Sequence, residues 1–214
     1  MSKHRVPWLW WPMLFLAIGI AGYAWSFLLL GDAAFGPNLR ESFLARPWGI
    51  YSHVFFGGIA LVLGPFQFRR NLLLRNRPLH RRLGQAYVIC STMIGVSGMY
   101  MAAWSYGGWV THLGFGLLGF LTFMSALKAY FHIRAHEVAA HRAWMIRNYA
   151  LIFAAVMLRI EMPLMASAMQ EFDTPYAIVS WLCWVPNLLW AEWYLRRSHR
   201  TAGADLPAHS LART

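Results

Sequence analysis

Four histidines lie one apiece on four successive predicted hydrophobic helices, and their depths alternate: His53, His80, His112 and His141. Side chains that ionise or bind metals are costly inside a bilayer, so each of these residues is a candidate functional residue. Imidazole is also a common axial ligand of haem iron. Two facing pairs of histidines in a helix bundle would supply the axial ligands of two haem b groups.

The depths of the histidines follow from where the apolar stretches begin. His53 and His112 each fall about one to one and a half turns below one end of their helices, so their depths agree within about 2 Å. Pro78 suits the first position of a helix, which puts His80 in the first turn of an extended helix. His141 precedes its apolar stretch by a similar margin. We therefore expect His53 to pair with His112, and His80 with His141.

A glycine follows three of these histidines at position i+4, on the same helix face. These glycines are Gly57, Gly84 and Gly116. A glycine beside a ligand leaves room for a flat porphyrin against the backbone. Close packing of helices through small residues predicts the same spacing, so both interpretations stay open.

Several arginines fit a haem site without requiring one. Arg82 and Arg142 lie next to two of the histidines and could bind propionates, since guanidinium binds carboxylates in a bidentate way. Contact with phospholipid head groups explains the same charges. Arg159 lies inside an apolar stretch, near the expected depth of the outer histidines. Its expected partner is an outer haem propionate, Glu161, or a carbonyl freed by Pro163.

A second metal site is an alternative. His132, His136, Glu137 and His141 follow the pattern H-x-x-x-H-E-x-x-x-H. The first two histidines share a helix face and could hold a transition metal together with a carboxylate. Polar histidines at a membrane interface are the simpler interpretation of this stretch.

The composition places the chain in a membrane. Of its 214 residues, 58% are hydrophobic and 13% are charged, whereas soluble domains have roughly 25% charged residues. The net charge of +11 does not indicate nucleic-acid binding, because the basic residues collect in alternate loops. Both cysteines lie in apolar stretches, so we expect no disulfide framework.

Apolar stretches of about 20 residues cross a bilayer as helices, and the chain has six. We expect them at residues 8–30, 48–67, 84–104, 108–130, 148–168 and 176–195. A tight turn over residues 105–108 joins the third and fourth stretches into a hairpin. The prediction is an all-α six-helix bundle with helices two to five as its core, followed by a disordered tail over residues 196–214. The first stretch is too long for a signal peptide, and we expect it to be retained.

The positive charges predict the orientation. Nearly all of the 19 Lys and Arg lie at the N-terminus, in residues 69–82 and 128–147, and in the tail. Since cytoplasmic loops carry an excess of Lys and Arg, both termini should be cytoplasmic, in a bacterial inner membrane whose lipids surround the helices.

Two stretches resemble a known family: His80-Arg81-Arg82-Leu83-Gly84-Gln85-Ala86-Tyr87, and His141-Arg142-Ala143-Trp144-Met145-Ile146-Arg147-Asn148-Tyr149-Ala150 with Leu158-Arg159 after it. The family consists of predicted bacterial membrane proteins and is catalogued only as a domain of unknown function, the 2306 family. Gly64-Pro65-Phe66-Gln67 fits its second-helix pattern. The resemblance covers roughly residues 48–195 and implies a membrane location but no established activity. The arrangement of histidines is also similar to that of six-helix transmembrane cytochromes b with two haems.

The leading hypothesis from the sequence is a haem b electron carrier, with an unknown redox partner or a quinone. One alternative is a non-catalytic membrane protein that binds a lipid or small ligand and whose histidines are structural. Another is a metal site at the cytoplasmic face. Whether the chain is an enzyme stays open.

Overall fold

The computed structural model describes residues 10–204, without the side chains of residues 32, 70 and 199–204. These residues are almost all helical and include no strand, which confirms the all-α prediction. Within them a short 3-10 turn over Gly31–Ala34 follows the first of ten α-helices. The helices are α1 Trp10–Leu30, α2 Pro37–Leu44, α3 Pro47–Gln67, α4 Arg70–Arg75, α5 Arg77–Ala102, α6 Trp109–Arg134, α7 Val138–Ile152, α8 Ala154–Met169, α9 Asp173–Leu182 and α10 Val185–Ala204.

Four segments of the described chain are long and apolar enough to cross a bilayer: Trp10–Leu30, Pro47–Gln67, Trp109–Arg134 and Val138–Met169. They correspond to the predicted first, second, fourth and fifth spans. The fifth begins at Val138 rather than at residue 148, and it consists of α7 and α8, which meet at Phe153. The predicted third and sixth spans are not among these four segments, so the count of six is not confirmed.

The third and sixth predicted spans differ from the others for identifiable reasons. Residues 84–104 lie in α5, which is long enough but carries Gln85, Ser91, Thr92 and Ser97 along its length. Residues 176–195 are divided between α9 and α10, and the break falls at residues 183–184. The predicted disordered tail is also wrong in part, because α10 continues as a helix to Ala204. Residues 1–9 and 205–214 lie outside the described part of the chain.

The helices alternate in direction between two ends of the bundle. At one end the Trp10 indole donates a hydrogen bond to the Pro65 carbonyl at 2.9 Å, which joins the start of α1 to the end of α3. We call this the arginine-rich end, because residues 69–82 and 134–142 lie there. At the other end Ser42 Oγ donates to the Trp104 carbonyl at 3.1 Å. We call it the hairpin end, since the turn between α5 and α6 lies there.

The central helix is α5, which packs between α3 and α6. The remaining long helices complete the bundle: α1 packs on α3, α7 packs on α6, and α8 returns to contact α1. Since α5 separates α3 from α6, the two helices expected to share the outer haem are not direct neighbours. The hairpin predicted over residues 105–108 is confirmed, with Gly107 and Gly108 at φ of 91° and 75°, values that glycine adopts readily.

Glycines bring α5 and α6 into close contact. A Cβ on Gly95 would lie 2.6–2.8 Å from atoms of Phe123, including its backbone, and a Cβ on Gly119 would lie 2.8 Å from the Met99 nitrogen. Small residues let helix backbones approach closely where dispersion forces must replace the hydrophobic effect. The pairing of residue 95 with 123 and of 99 with 119 also fixes the two helices as antiparallel.

Candidate functional site

Asn148 is the centre of a hydrogen-bond network that is buried between α5, α6 and α7. Its side-chain oxygen accepts hydrogen bonds from Tyr87 Oη at 2.7 Å and Ser91 Oγ at 2.9 Å. Its amide nitrogen donates to the Thr122 carbonyl and to Ser125 Oγ, both at 2.9 Å. The amide group therefore uses both donors and both acceptor positions. A fully satisfied polar group fixes the rotation and depth of the helices that it joins.

The histidines at the arginine-rich end are aligned by this network. His80 and His141 lie seven residues before Tyr87 and Asn148, on the same helices. Seven residues are nearly two helical turns, so each histidine shares a face with its network residue and lies about 10 Å nearer the arginine-rich end. Since α6 is antiparallel to both α5 and α7, these two helices run in the same direction. The imidazoles of His80 and His141 are therefore neighbours.

Electrostatics supports this alignment. Burial lowers the pKa of His80, and the neighbouring His141 lowers it further. A positive charge on one ring thus disfavours protonation of the other. The two rings therefore lie within electrostatic range of each other, and His80 favours the neutral form that binds metals.

The ring nitrogens of the two histidines have different partners. His141 Nδ1 lies 2.8 Å from the Ala129 carbonyl of α6 and donates to it. A histidine that binds a metal usually donates its other N–H to a carbonyl or carboxylate, which leaves Nε2 as the ligand. His80 Nδ1 is buried and has no hydrogen-bond partner among the described residues. A buried ring nitrogen without a partner is costly and calls for an explanation.

A second buried nitrogen without a partner, the amide nitrogen of a glutamine, lies near the pair. Gly84 follows His80 by one turn, and a Cβ on Gly84 would lie 3.1 Å from Gln67 Oε1. The nitrogen of the same Gln67 amide is buried and has no partner within the described part of the chain. Two buried nitrogens, Gln67 Nε2 on α3 and His80 Nδ1 on α5, are therefore unsatisfied at this end of the bundle.

The arginines predicted to accompany this pair lie at the same end. Arg82 and Arg142 directly follow the histidine turns of α5 and α7, and both side chains are exposed. Side chains one or two residues apart do not face each other on a helix, so these guanidinium groups point away from the two imidazoles and suit contact with lipid phosphates.

The outer pair is arranged differently from the prediction. A Cβ on Gly98 would lie 3.6 Å from His53 Cε1 and 3.7 Å from the Gly119 Cα, so His53 lies at the level of Gly119. His112 precedes Gly119 by seven residues, about 10 Å along α6. The predicted match in depth within about 2 Å is not seen.

Both outer histidines have polar partners within the protein. His53 Nδ1 lies 3.3 Å from Ser97 Oγ on α5. His112 Nε2 lies 2.8 Å from the Ser105 carbonyl, in the turn between α5 and α6. A Cβ on Gly57 would meet no atom within 4 Å, and one on Gly116 would meet only Ala102, at 3.9 Å. Close helix packing therefore does not explain these two glycines.

Arg159 lies near His53, as the sequence predicted, because its charge reaches the His53 ring. It donates one hydrogen bond to the Ala155 carbonyl at 3.2 Å, within its own helix. Its guanidinium carbon lies 5.4 Å from the centre of the Tyr23 ring on α1. Neither Glu161 nor a carbonyl freed by Pro163 is its hydrogen-bond partner in the described structure.

The alternative metal site is not assembled. His132 Nδ1 bonds to Glu137 Oε2, while His136 has a left-handed backbone with φ of 62° after the end of α6. The third predicted ligand, His141, is bonded to Ala129 instead. Across residues 10–204, no group of three or more His, Cys, Asp or Glu side chains could hold a metal ion.

Sequence reasoning missed two polar contacts on α7. One is the Asn148 network, for which a buried amide in an apolar stretch was the available signal. The other is an ion pair in which Arg147 contacts Glu192 of α10 through two bonds, at 2.5 and 3.0 Å. These partners are far apart in sequence and lie on two different helices, so no periodic pattern within one helix predicts their contact. Only the packing of the helices brings them together.

One comparison with known proteins identifies the chain. A family model described as a predicted membrane protein, DUF2306, matches residues 50–195. The match covers more than half of the chain, which therefore belongs to this family. No curated protein and no solved structure matches the chain.

Proposed function

We propose that this member of the predicted membrane protein family holds a haem b between His80 and His141 and serves as an electron carrier. The observation that carries the proposal is the pairing of two imidazoles that the Asn148 network aligns. One ring has its Nδ1 fixed by a carbonyl, and the other has a buried nitrogen without a partner. A redox partner, such as a quinone in the lipid phase, is part of this proposal.

The residues around the pair suit a porphyrin. Neutral imidazole nitrogens are the donor atoms that haem iron takes as axial ligands, and bound haem would supply one-electron transfer. The Ala129 carbonyl orients the His141 ring, and Gly84 leaves the backbone of α5 free of a Cβ beside His80. The exposed guanidinium groups of Arg82 and Arg142 do not share a helix face with the two histidines, so they are not part of the proposed site.

We assign one haem rather than two. A metal–imidazole bond is about 2 Å long, so the nitrogens of two axial ligands lie about 4 Å apart. His53 and His112 are offset by about 10 Å along the bundle, and each already has a hydrogen-bond partner. A second haem would require these helices to shift. The ratio of haem to protein distinguishes the two versions.

The absorption spectrum of the purified chain tests the proposal. Protein from haem-replete cells should show a Soret band that shifts on reduction with dithionite. His80→Ala and His141→Ala should each abolish the band, whereas His132→Ala is the matched control and should keep it. His80→Gly should regain the band when imidazole is added, which separates a lost ligand from a misfolded protein. Colourless protein that also fails to take up added haem would refute the proposal.

A second candidate function is the binding of a lipid or small ligand by a protein whose histidines are structural. It is favoured by one observation: His53, His112 and His141 all have hydrogen-bond partners within the protein. Interhelical hydrogen bonds of this kind stabilise membrane bundles without a cofactor. In that case replacing His53, His112 or His141 by alanine would lower the stability of the protein through the loss of its hydrogen bond. The protein would have no absorption band at wavelengths above those of its own aromatic side chains, so no variant would change one.

We further propose that the chain crosses a bacterial inner membrane six times with both termini in the cytoplasm. The third crossing would be α5, whose Ser91 and Ser97 are buried within the bundle, and the sixth would be α9 together with α10. Cys90 and Cys183 are buried and free, so the background of thiol labelling should be low. Asn76→Cys should then be protected from an impermeant maleimide in intact cells, and Gln170→Cys should react. The reverse pattern would contradict the orientation.

A further inference from the structure

Arg159 is a half-buried cation that has no acidic partner among the described side chains. Its Nε is inaccessible to solvent and has no hydrogen-bond partner. No carboxylate among the described side chains forms an ion pair with it. An arginine at membrane depth is costly and pairs with an opposite charge or lines a site. The contacts to the Ala155 carbonyl and the Tyr23 ring leave the Nε–H bond and the net charge unsatisfied.

The nearest acidic residue along the helix does not fill this role. Glu161 follows Arg159 by two residues, and side chains at that spacing do not face each other on a helix. Glu161 Oε2 is itself buried without a partner within the described residues. The side chains that share the region with Arg159 are His53, Tyr23 and Cys183, none of which is anionic at neutral pH.

The region is open to the lipid-facing surface. The Tyr23 ring, against which the guanidinium lies, is 52% exposed on α1, and Ile160 beside Arg159 is 41% exposed on α8. These two helices contact each other. Arg159 precedes the end of α8 at Met169 by ten residues, about 15 Å. A ligand that reaches it therefore comes from the apolar part of the bilayer.

We propose that Arg159 binds the carboxylate of a long-chain fatty acid, whose acyl chain lies against the lipid-facing surface between α1 and α8. The carboxylate supplies the missing negative charge and accepts hydrogen bonds from the terminal nitrogens of the guanidinium. A single carboxylate fits the depth of Arg159 better than a phospholipid head group does, since no glycerol and phosphate need to be drawn below the interface. This site is separate from the His80–His141 pair and does not depend on haem.

The experiment uses the full chain in a neutral detergent and measures quenching of its tryptophan fluorescence by brominated stearate. Oleate should displace the probe, whereas oleyl alcohol and phosphatidylglycerol should not. Arg159→Gln should weaken binding of the probe roughly ten- to hundredfold, as expected for the loss of a charged hydrogen bond. Arg75→Gln removes an exposed arginine at the other end and should bind as the wild type does.

Thermal unfolding distinguishes the loss of binding from a folding defect in the variant. Oleate should raise the unfolding midpoint of the wild type, since a ligand that binds only the folded state stabilises it. It should not raise the midpoint of Arg159→Gln, while Arg159→Lys, which keeps the charge, should retain part of the effect. Equal binding of oleate and oleyl alcohol, or undiminished binding to a folded Arg159→Gln variant, would overturn the proposal. Displacement by phosphatidylglycerol as strong as by oleate would overturn the fatty-acid assignment.

Discussion

Replacement of Asn148 by leucine should destabilise the bundle far more than the similar size of the two side chains suggests. Tyr87 is fully buried and donates its only hydrogen bond to Asn148 at 2.7 Å. Leaving a buried hydroxyl without a partner costs about 1–3 kcal/mol. Ser91 is also fully buried and loses its hydrogen bond, whereas Ser125 Oγ keeps a bond to the Thr122 carbonyl at 3.1 Å. We therefore expect Asn148→Leu to lower the free energy of unfolding by about 2–4 kcal/mol.

A double-mutant cycle with Tyr87→Phe tests the cause. Tyr87→Phe alone should cost about 0.6–1.7 kcal/mol, the range of interhelical hydrogen bonds in membrane proteins, because Asn148 keeps its bond to Ser91. The double variant should cost about 1 kcal/mol less than the sum of the single variants, since phenylalanine has no hydroxyl to leave unsatisfied. Unfolding in mixed micelles of a mild detergent and dodecyl sulfate, followed by circular dichroism, measures these differences.

The outcome that would refute this reasoning is simple additivity. If the two substitutions add, then Tyr87 is not left without a partner by Asn148→Leu, and the network does not hold α5 against α7. An Asn148→Leu variant as stable as the wild type would likewise show that the network does not hold α5 against α7. If the network also aligns the histidine pair, Asn148→Leu should lower haem occupancy although it touches neither ligand.

Two other predictions test separate parts of the structure. Gly95→Ala should cost about 1–3 kcal/mol through overpacking at the α5–α6 contact, while Gly57→Ala, whose new Cβ would meet no atom within 4 Å, should be nearly neutral; equal losses in thermal unfolding would contradict this. The hydrogen bond that Tyr106 donates to Asp173 at 2.9 Å raises the pKa of Tyr106, so the bond is present at neutral pH and is lost as pH rises through that raised value. The difference between the alkaline absorbance titrations of the wild type and of Tyr106→Phe should therefore show a midpoint above the ordinary tyrosine pKa of about 10. Asp173→Asn should lower that midpoint. A midpoint at or below the ordinary value would contradict the assignment.

Composition and hydropathy were enough to predict the helical class, four of the crossing segments and the hairpin between α5 and α6. These features depend on local chemistry: a stretch of apolar residues needs a helix to satisfy its backbone in lipid, and two glycines permit a tight turn. The break between α9 and α10 was missed, although Pro186 follows it and proline has no N–H group with which to continue a helix. The helical residues 196–204 were missed because charge alone does not end a helix.

The candidate site divides in the same way. Pro78 placed His80 in the first turn of α5, as position along a single helix predicts, and the pairing of His80 with His141 as a site stays a prediction. The relative depth of His53 and His112 was not predictable, because it required the depths of α3 and α6 to be compared across the bundle. Those depths depend on how far each helix is shifted along its axis, and His53 lies level with Gly119 instead of His112.

Apolar composition and the placement of charges along the chain indicate a helical membrane protein whose positive charges gather at one end. Periodicity and composition carry this information because they act within a single helix. The side-chain contacts between helices come from the packing of the bundle: Asn148 meets Tyr87, Arg147 meets Glu192, and Arg159 meets no acid among the described side chains. Contacts between helices depend on rotation and axial shift, which are set by the packing of every neighbour at once.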